Sequence, residues 1–343
     1  MRCSTLAQRI SRNLSNLSRI KRAVKWSPAL KKAYYGLRGL LHGARLKAAR
    51  RGSLAGGEPA GLDSSRVVWI FCLGRSGSTW VRAMLADLLP CRVWEEPKVG
   101  QLFGWFYEKT EQGQRASTNF VLGDPTRPAW TRALRRFVLE TAAASHPSIA
   151  PAEYLVVKEP DGAIGAPLLM DALPESRMVL LVRDPRDVVA SALDATKKGG
   201  WRYEDMNEDL QRRRELQEAR GFARFVKATA NSYLRQIGAA KRAYDAHGGP
   251  KVLVRYEDLR VNPLGEMRRL CSELGLLVNE EGVARVVGKH SWENVAEAEK
   301  GKGKFYRKAK PGSWKEDLTP KQAETVERIT APLLKEFYPE CEW

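Results

Sequence analysis

Paired cysteines and clustered histidines are missing from this chain of 343 residues. Its five cysteines are scattered, with no Cys-x-x-Cys pair, and its four histidines lie far apart in the sequence. A set of this kind argues against a disulfide framework and against a structural zinc site. We therefore expect reduced thiols, a reducing compartment and no bound metal.

Long apolar runs are missing as well. No segment reaches the roughly 18 consecutive apolar residues of a membrane-spanning helix, and the N-terminus lacks the uninterrupted apolar core of a signal peptide. The apolar residues, 43% of the chain, are dispersed and numerous enough to form a substantial core. We expect a cytoplasmic protein.

Acidic residues are absent from the first 57 positions, which carry 14 lysines and arginines. The rest of the chain holds 44 basic and 40 acidic side chains, so most of the net charge of +18 belongs to this first segment. Because the remaining domain is close to neutral, its composition does not indicate a nucleic-acid surface. We predict no nucleic-acid partner for it.

The basic segment, residues 1–51, is predicted to form a helical arm, with Leu6, Ile10 and Leu14 among the apolar residues at helical spacing. Basic amphipathic helices suit an anionic membrane surface, which would make the protein peripheral at a membrane. The same composition fits an organelle transit peptide or helices packed on the rest of the chain. A glycine-rich linker over 52–65 then precedes one predicted domain over 66–343.

Short aliphatic runs alternate with helical patterns from residue 67 onward. This alternation predicts an α/β domain with a largely parallel sheet flanked by helices. Helical sequence is expected over about 204–246 and 319–336. The predicted strands are Val67–Leu73, Tyr154–Lys158, Arg177–Arg183 and Lys251–Arg255.

A glycine-containing turn follows the first predicted strand. The sequence Gly-Arg-Ser-Gly-Ser-Thr-Trp over 74–80 leads into a helix from about Val81. Backbone N–H groups converge in such a turn, and the helix dipole favours negative charge, so we predict an anion site. It is not a nucleoside-triphosphate P-loop, since no lysine follows Gly77, and it is not the Gly-x-Gly-x-x-Gly dinucleotide motif.

Two further segments carry clustered basic residues. The sequence LLVRDPRDVVASAL places Arg183 at the end of a predicted strand, where ligands bind in open α/β sheets, and Ser191 on the following helix. Near the C-terminus, residues 307–315 read Arg-Lys-Ala-Lys-Pro-Gly-Ser-Trp-Lys. Taken alone, a lysine- and arginine-rich stretch such as 307–315 is usually a solvated loop, so these two segments gain meaning only together with the turn over 74–80.

Taken in this order, the three segments resemble those of the sulfotransferases that use 3′-phosphoadenosine-5′-phosphosulfate (PAPS). The resemblance covers about residues 67–338 and includes a Tyr-Glu-Asp segment at 256–258 and a serine–aromatic pair at 291–292. The Arg-Ser-Gly-Ser form of the turn is closest in style to the carbohydrate and bacterial-type members. The resemblance implies a P-loop-like fold and sulfuryl transfer from PAPS to a hydroxyl, with 3′,5′-adenosine bisphosphate (PAP) as product.

The resemblance also implies roles for individual residues. The turn and the start of its helix would grip the 5′-phosphosulfate, the second and third segments would hold the 3′-phosphate, and aromatic side chains would flank the adenine. The donor-binding residues predicted in this way are Arg75, Ser76, Gly77, Ser78, Thr79, Trp80, Arg183, Ser191, Tyr256, Trp292, Arg307 and Lys308.

The chain departs from the family's pattern at three positions. Ala309 replaces a glycine in the third segment. Pro320 replaces a valine in the segment associated with dimer formation, which leaves the oligomeric state open. Pro160 stands where cytosolic members have the histidine that acts as general base.

A carboxylate is therefore the expected general base. Carbohydrate-type enzymes use a glutamate downstream of the first helix, which indicates Glu96, and Glu159 is the second candidate. Either group would need a pKa closer to the working pH. Arg75 and Lys158 are the predicted cations on the transferring group, and the reaction needs no metal.

The sequence leaves the acceptor open among a glycan, a glycolipid and another lipid or small molecule. Two other function classes are compatible with parts of the sequence. A P-loop kinase or nucleotide triphosphatase is disfavoured because no lysine follows Gly77. A membrane- or nucleic-acid-binding protein would depend on the arm, residues 1–51, rather than on the predicted site.

Overall fold

The computed structural model describes residues 62–218 and 220–340. The predicted arm, residues 1–51, lies outside the described residues, as does most of the predicted linker. The end of that linker forms a short 3-10 turn, Ser64–Arg66, which is capped by the Asp63 side chain and leads directly into the first strand.

Five parallel strands form a single sheet in the order β2-β3-β1-β4-β5. The strands are β1 Val67–Phe71, β2 Cys91–Glu95, β3 Tyr154–Glu159, β4 Arg177–Val182 and β5 Lys251–Arg255. The predicted α/β class with a parallel sheet is confirmed, and four of these strands were predicted. The edge strand β2 was missed because its residues alternate between half-buried and exposed positions and include two charged side chains.

Helices cover both faces of the sheet. They are α1 Ser78–Leu88, α2 Val99–Lys109, α3 Gln112–Arg115, α4 Arg127–Ser145, α5 Ala166–Ala172, α6 Pro185–Thr196, α7 Glu208–Glu218, α8 Ala223–Ala246, α9 Tyr256–Val261, α10 Pro263–Glu273, α11 Glu280–Lys289, α12 Trp314–Asp317 and α13 Pro320–Phe337. Among the described residues, no helix combines the length and the hydropathy that crossing a bilayer requires.

The two long predicted helical regions are present with one difference. The region over 204–246 is two helices, because the chain turns through left-handed backbone at Gly221 and Phe222 between α7 and α8. The predicted C-terminal helix is α13, which begins with a capping box formed by Thr319 and Gln322. A capping box satisfies two backbone donors that would otherwise lack partners.

Strand β1 lies at the centre of the sheet and is buried on both faces. Trp69 and Phe71 pack into the core on one side, and Val68 and Ile70 pack into the core on the other. The carboxyl ends of all five strands meet at one edge of the sheet, because the strands are parallel. Open α/β sheets bind ligands at this edge, where the connections diverge from the central strand.

Helix α2 approaches the turn after β3 through two glycines. A Cβ atom built on Gly100 would lie 2.1 Å from the carbonyl oxygen of Gly162, and one built on Gly104 would lie 2.4 Å from the backbone nitrogen of Gly165. Real Cβ atoms do not come so close to backbone atoms. This glycine contact fixes α2 beside the carboxyl ends of β2 and β3.

We predict that Gly104→Ala destabilises the protein by about 1–3 kcal/mol, because the new methyl group forces α2 away from its neighbour. Gly238→Ala in α8 is the matched control, because a Cβ there meets only the end of the Arg242 side chain at 3.8 Å. It should stabilise the helix by about 0.5–1 kcal/mol. Urea unfolding measures both changes, and equal effects of the two substitutions would contradict the prediction.

Candidate active site

The turn over residues 74–77 joins β1 to α1 and has the geometry of an anion cradle. Arg75 and Gly77 have left-handed backbone, with φ angles of 78° and 94°. A Cβ on Gly77 would lie 2.6 Å from the ring of Tyr256, so only glycine fits there. The Ser76 hydroxyl is fully buried and has no hydrogen-bond partner among the described residues. These features leave polar groups at the N-terminus of α1 free to receive an anion.

The Arg75 side chain extends from this turn between two other segments. Its Nε donates a hydrogen bond to the Ser191 hydroxyl at 3.0 Å, and its Nη2 donates to the carbonyl oxygen of Phe305 at 2.8 Å. Burial, followed by the nearby charges of Arg183, Arg307 and Arg202, lowers the pKa of Arg75 to about 10. The structure therefore gathers positive charge around the turn.

Arg183 and Ser191 lie beside the turn, as the sequence predicted for residues of one site. Arg183 donates from Nη1 to the carbonyl oxygen of Arg75 at 3.1 Å, and its guanidinium group stacks on Tyr256 with 4.3 Å from Cζ to the ring centroid. Its Nε is buried without a partner among the described residues. The contact between Arg75 and Ser191 brings the predicted 5′- and 3′-phosphate residues together.

Asp187, which the sequence reading missed, links α6 to the C-terminal basic segment. The carboxylate is completely buried and accepts hydrogen bonds from the backbone N–H groups of Gly312 at 2.8 Å and Trp314 at 2.9 Å. It also lies 3.6 Å from the Arg183 guanidinium group. The second aspartate of the Asp-Pro-Arg-Asp sequence therefore holds the second and third predicted segments together.

The first two basic residues of the C-terminal segment are paired with acidic residues of α12. Arg307 is buried and forms an ion pair with Asp317, and Lys308 lies 2.8 Å from the Glu316 carboxylate. Ala309 has a left-handed φ of 47° at the position where the resembling family has glycine. Left-handed backbone costs an alanine about 1–2 kcal/mol. The chain thus keeps the turn that a glycine would adopt more easily.

Lys158 lies at the carboxyl end of β3 between two carboxylates. Its Nζ is 2.6 Å from Glu95 and 2.9 Å from Glu96, and it donates to the Thr79 hydroxyl at 3.4 Å. Burial alone would lower the pKa of Lys158, but hydrogen bonds and charges from the two glutamates outweigh it and raise the pKa. Glu95 was not singled out from the sequence, and it also pairs with Arg82 at 3.3 Å.

Glu96 lies in an unusual turn between β2 and α2. Its φ is 50° and that of Lys98 is 63°, with Pro97 between them. Left-handed backbone at residues other than glycine is costly and is concentrated at functional sites. Its carboxylate is half-exposed and pairs only with Lys158 in the described part of the chain.

Glu159 points to the start of α2. Its two carboxylate oxygens accept hydrogen bonds from the backbone N–H groups of Lys98 at 3.1 Å and Gly100 at 3.0 Å. The side chain is almost completely buried, and burial raises its pKa to about 7. Glu159 therefore caps α2 and contacts the turn that carries Glu96.

Three aromatic residues predicted near an adenine lie around the start of α1. Trp80 meets Tyr256 edge to face with 6.4 Å between ring centroids, and its Nε1 donates to the carbonyl oxygen of His290 at 2.8 Å. Trp292 follows two residues later and has the Lys300 ammonium 5.1 Å from its ring centroid. Tyr256 is thus buried against Trp80, and Trp292 is placed near them through its chain neighbour His290.

The residues present fit a ligand that carries two separated anionic groups. One anionic group would accept a hydrogen bond from the unpartnered Ser76 hydroxyl and balance the charge of Arg75. The other would accept a hydrogen bond from the unpartnered Nε of Arg183. Within residues 62–218 and 220–340, no group of three or more histidine, cysteine, aspartate or glutamate side chains is arranged to hold a metal ion.

Comparisons with known proteins identify the family of this chain. A family model described as "Sulfotransferase family" matches residues 68–280. Cytosolic sulfotransferase 17 of Arabidopsis thaliana is 24% identical over 296 residues, covering 76% of this chain and 81% of the relative. Carbohydrate sulfotransferase 3 of Homo sapiens is 27% identical over 179 residues, covering 50% of this chain and 35% of the relative.

Solved structures of similar fold include a mouse sulfotransferase, SULT7A1, complexed with PAP. It is 13% identical with a TM-score of 0.47, and the match covers 79% of this chain and 85% of the mouse chain. The sulfotransferase STF9 from Mycobacterium avium is 14% identical with a TM-score of 0.47, and the match covers 81% of this chain and 78% of that one.

The raised pKa of Glu159 predicts a pH-dependent stability. Between pH 4.5 and about 7 the folded protein keeps a proton that the unfolded chain releases, so the free energy of unfolding falls as the pH rises through this window. Between about pH 5 and pH 8, the free energy of unfolding of Glu159→Gln should fall by about 2–3 kcal/mol less than that of the unchanged protein. Chemical unfolding at the two pH values measures this difference. Glu140→Gln, at an exposed position of α4, is the control. Equal pH slopes for Glu159→Gln and the unchanged protein would contradict the assignment.

Proposed function

The chain belongs to the sulfotransferase family, and from this premise we propose that it moves the sulfuryl group of PAPS to an acceptor hydroxyl by in-line attack, with Glu96 as general base. The observation that carries the proposal is the grouping of three arginines at the turn between β1 and α1: Arg183 donates to the Arg75 carbonyl, and Arg75 donates to the Phe305 carbonyl, two residues before Arg307. Such a concentration of cations suits a donor that carries a phosphosulfate and a separate phosphate.

In this proposal the donor spans the site from the turn to the C-terminal segment. The turn and the N-terminus of α1 receive the 5′-phosphosulfate on their backbone donors, and Arg75 is the cation of the same turn. Arg183, Ser191, Arg307 and Lys308 receive the 3′-phosphate. The adenine lies among Trp80, Tyr256 and Trp292, whose ring faces offer stacking surfaces.

Glu96 is the base that the contacts favour. Glu95 is shared between Arg82 and Lys158, whereas Glu96 pairs only with Lys158 among the described residues. Glu159 is engaged with two backbone N–H groups. The strained turn that presents Glu96 supports the same choice, because strain of this kind is tolerated where function needs it.

The chemical step follows from these positions. Glu96 accepts the proton of the acceptor hydroxyl while the hydroxyl oxygen forms its bond to sulfur, and the bond between sulfur and the 5′-phosphate oxygen breaks. Lys158 and Arg75 balance the negative charge on the transferring group and the leaving phosphate, and PAP is released with both phosphates intact. Positioned charges of this kind are the main source of rate enhancement in such reactions.

The acceptor that the surface favours has an apolar body. Leu102 and Phe106 are 59% and 53% exposed, and they lie one turn apart on α2, which begins three residues after Glu96. Exposed apolar side chains beside a site indicate a surface for an apolar ligand. A lipid or glycolipid hydroxyl therefore suits the site better than a free sugar. Attachment to an anionic membrane through residues 1–51 would bring such an acceptor close, and it stays a prediction from the sequence.

Arg183→Ala should weaken PAP binding by roughly 30-fold, because a buried charge-assisted contact to the 3′-phosphate is lost. Binding of 5′-AMP, which lacks that phosphate, should change little. Calorimetric titration of the full-length protein measures both, with Arg177→Ala at the opposite end of β4 as control. Equal weakening of PAP and 5′-AMP would contradict the assignment, and tighter binding of ATP than of PAP would contradict the proposed donor.

Glu96→Gln should lower kcat by about 10²–10⁴ and leave PAP affinity nearly unchanged, as expected when a general base is removed. The measurement is transfer of labelled sulfur from PAPS to a panel of phenols, steroids and glycolipids, followed for the best acceptor. Glu95→Gln is the control and should have a smaller effect, since Lys158 keeps Glu96 as partner. Full turnover by Glu96→Gln together with inactive Glu159→Gln would assign the base to Glu159.

A further inference from the structure

Trp201 and Phe305 enclose the guanidinium group of Arg75 from two loops that are far apart in the sequence. The Arg75 Cζ lies 5.5 Å from the centroid of the Trp201 ring and 5.0 Å from that of the Phe305 ring. The two rings also meet edge to face, with 5.3 Å between their centroids. Cation–π attraction holds an arginine in such a position, and the rings reduce its contact with water.

The two loops are joined by backbone hydrogen bonds. The Trp201 N–H donates to the carbonyl oxygen of Gly303 at 2.8 Å, and the Gly303 N–H donates to the Asp194 carboxylate at 2.9 Å. Gly303 has a left-handed φ of 73°, and a Cβ there would lie 2.8 Å from the carbonyl oxygen of Gly199. The aromatic pair therefore stands on a closely fitted support rather than on two independent loops.

The indole N–H of Trp201 is a second, independent sign that this ring faces a ligand. Its Nε1 is buried and has no hydrogen-bond partner among the described residues. A buried donor without a partner destabilises a protein, so such a donor indicates a missing acceptor. An oxygen of a sulfuryl group bound beside Arg75 would accept a hydrogen bond from this indole N–H.

We propose that Trp201 and Phe305 are positioning residues that separate the sulfuryl group from water, so that it passes to the acceptor and is not hydrolysed. The inference rests on the proposed function. The hydrogen bonds of Arg75 to the Ser191 hydroxyl and the Phe305 carbonyl do not involve the Trp201 ring. Loss of the ring therefore admits water while the cation stays in place.

The side reaction that the rings suppress is the hydrolysis of PAPS. A water oxygen forms a bond to sulfur, and the bond between sulfur and the 5′-phosphate oxygen breaks. The products are PAP and inorganic sulfate, and the protons of the water pass to the buffer. Exclusion of water from a closed site is a general means of preventing such losses.

The test uses the full-length protein with PAPS and no acceptor, and it measures the release of inorganic sulfate. Trp201→Ala and Phe305→Ala should each raise the rate about tenfold, while PAP affinity measured by calorimetry stays within about threefold. Trp201→Phe keeps a ring but loses the indole N–H, so it should raise the rate clearly less than Trp201→Ala does. Phe225→Ala, which removes a similar stack on Arg214 at 4.4 Å, is the matched control and should not alter sulfate release.

Three results decide between the possibilities. Unchanged or slower sulfate release in both alanine variants, with PAP affinity retained, would overturn the inference. The same acceleration in Trp201→Phe as in Trp201→Ala would overturn it too, because a ring is still present there. A protein that fails to bind PAP before any substitution would instead overturn the proposed function.

Discussion

Positive charge concentrated in a small volume is the constraint on which the rest of the site depends. Arg75, Arg183 and Arg307 lie close enough that burial and their mutual repulsion lower the pKa of Arg75. A folded chain tolerates such a cluster only with counter-ions, and Asp187 and Asp317 supply them. Buried charges are costly unless they are paired and hydrogen-bonded. The acidic partners are therefore as necessary to the site as the cations.

The same carboxylates also fix the distances between separate segments. Asp187 accepts backbone hydrogen bonds from residues 312–314, which places the C-terminal segment over α6. Glu257 acts similarly at the end of β5, because its carboxylate accepts from the Asp184 N–H at 3.0 Å and the Tyr338 hydroxyl at 2.9 Å. Three chain segments that are distant in sequence are thus held at one edge of the sheet by the protein's own hydrogen bonds.

The strands and the anion-binding turn were predictable because they depend on local sequence and on parallel topology. Strands buried on both faces read as continuous aliphatic runs, which is why β1 and β4 were identified and the edge strand β2 was not. Arg183 contacts the turn, since the carboxyl ends of parallel strands meet at one edge. The position of Trp201 against Phe305 depends on how two loops pack, and no periodicity in the sequence carries that information.

The contacts of the predicted base, Glu96, could not be read from the sequence either. The Glu95-Glu96 pair was visible in the sequence, but nothing there shows that Lys158 lies between the two carboxylates. In the proposed reaction, a sulfuryl oxygen competes with both glutamates for the Lys158 ammonium. Glu95 keeps Arg82 as a second partner, whereas Glu96 loses its only described ion pair. Donor binding would thereby free the carboxylate that accepts the proton, and it would do so only when the sulfuryl group is in place.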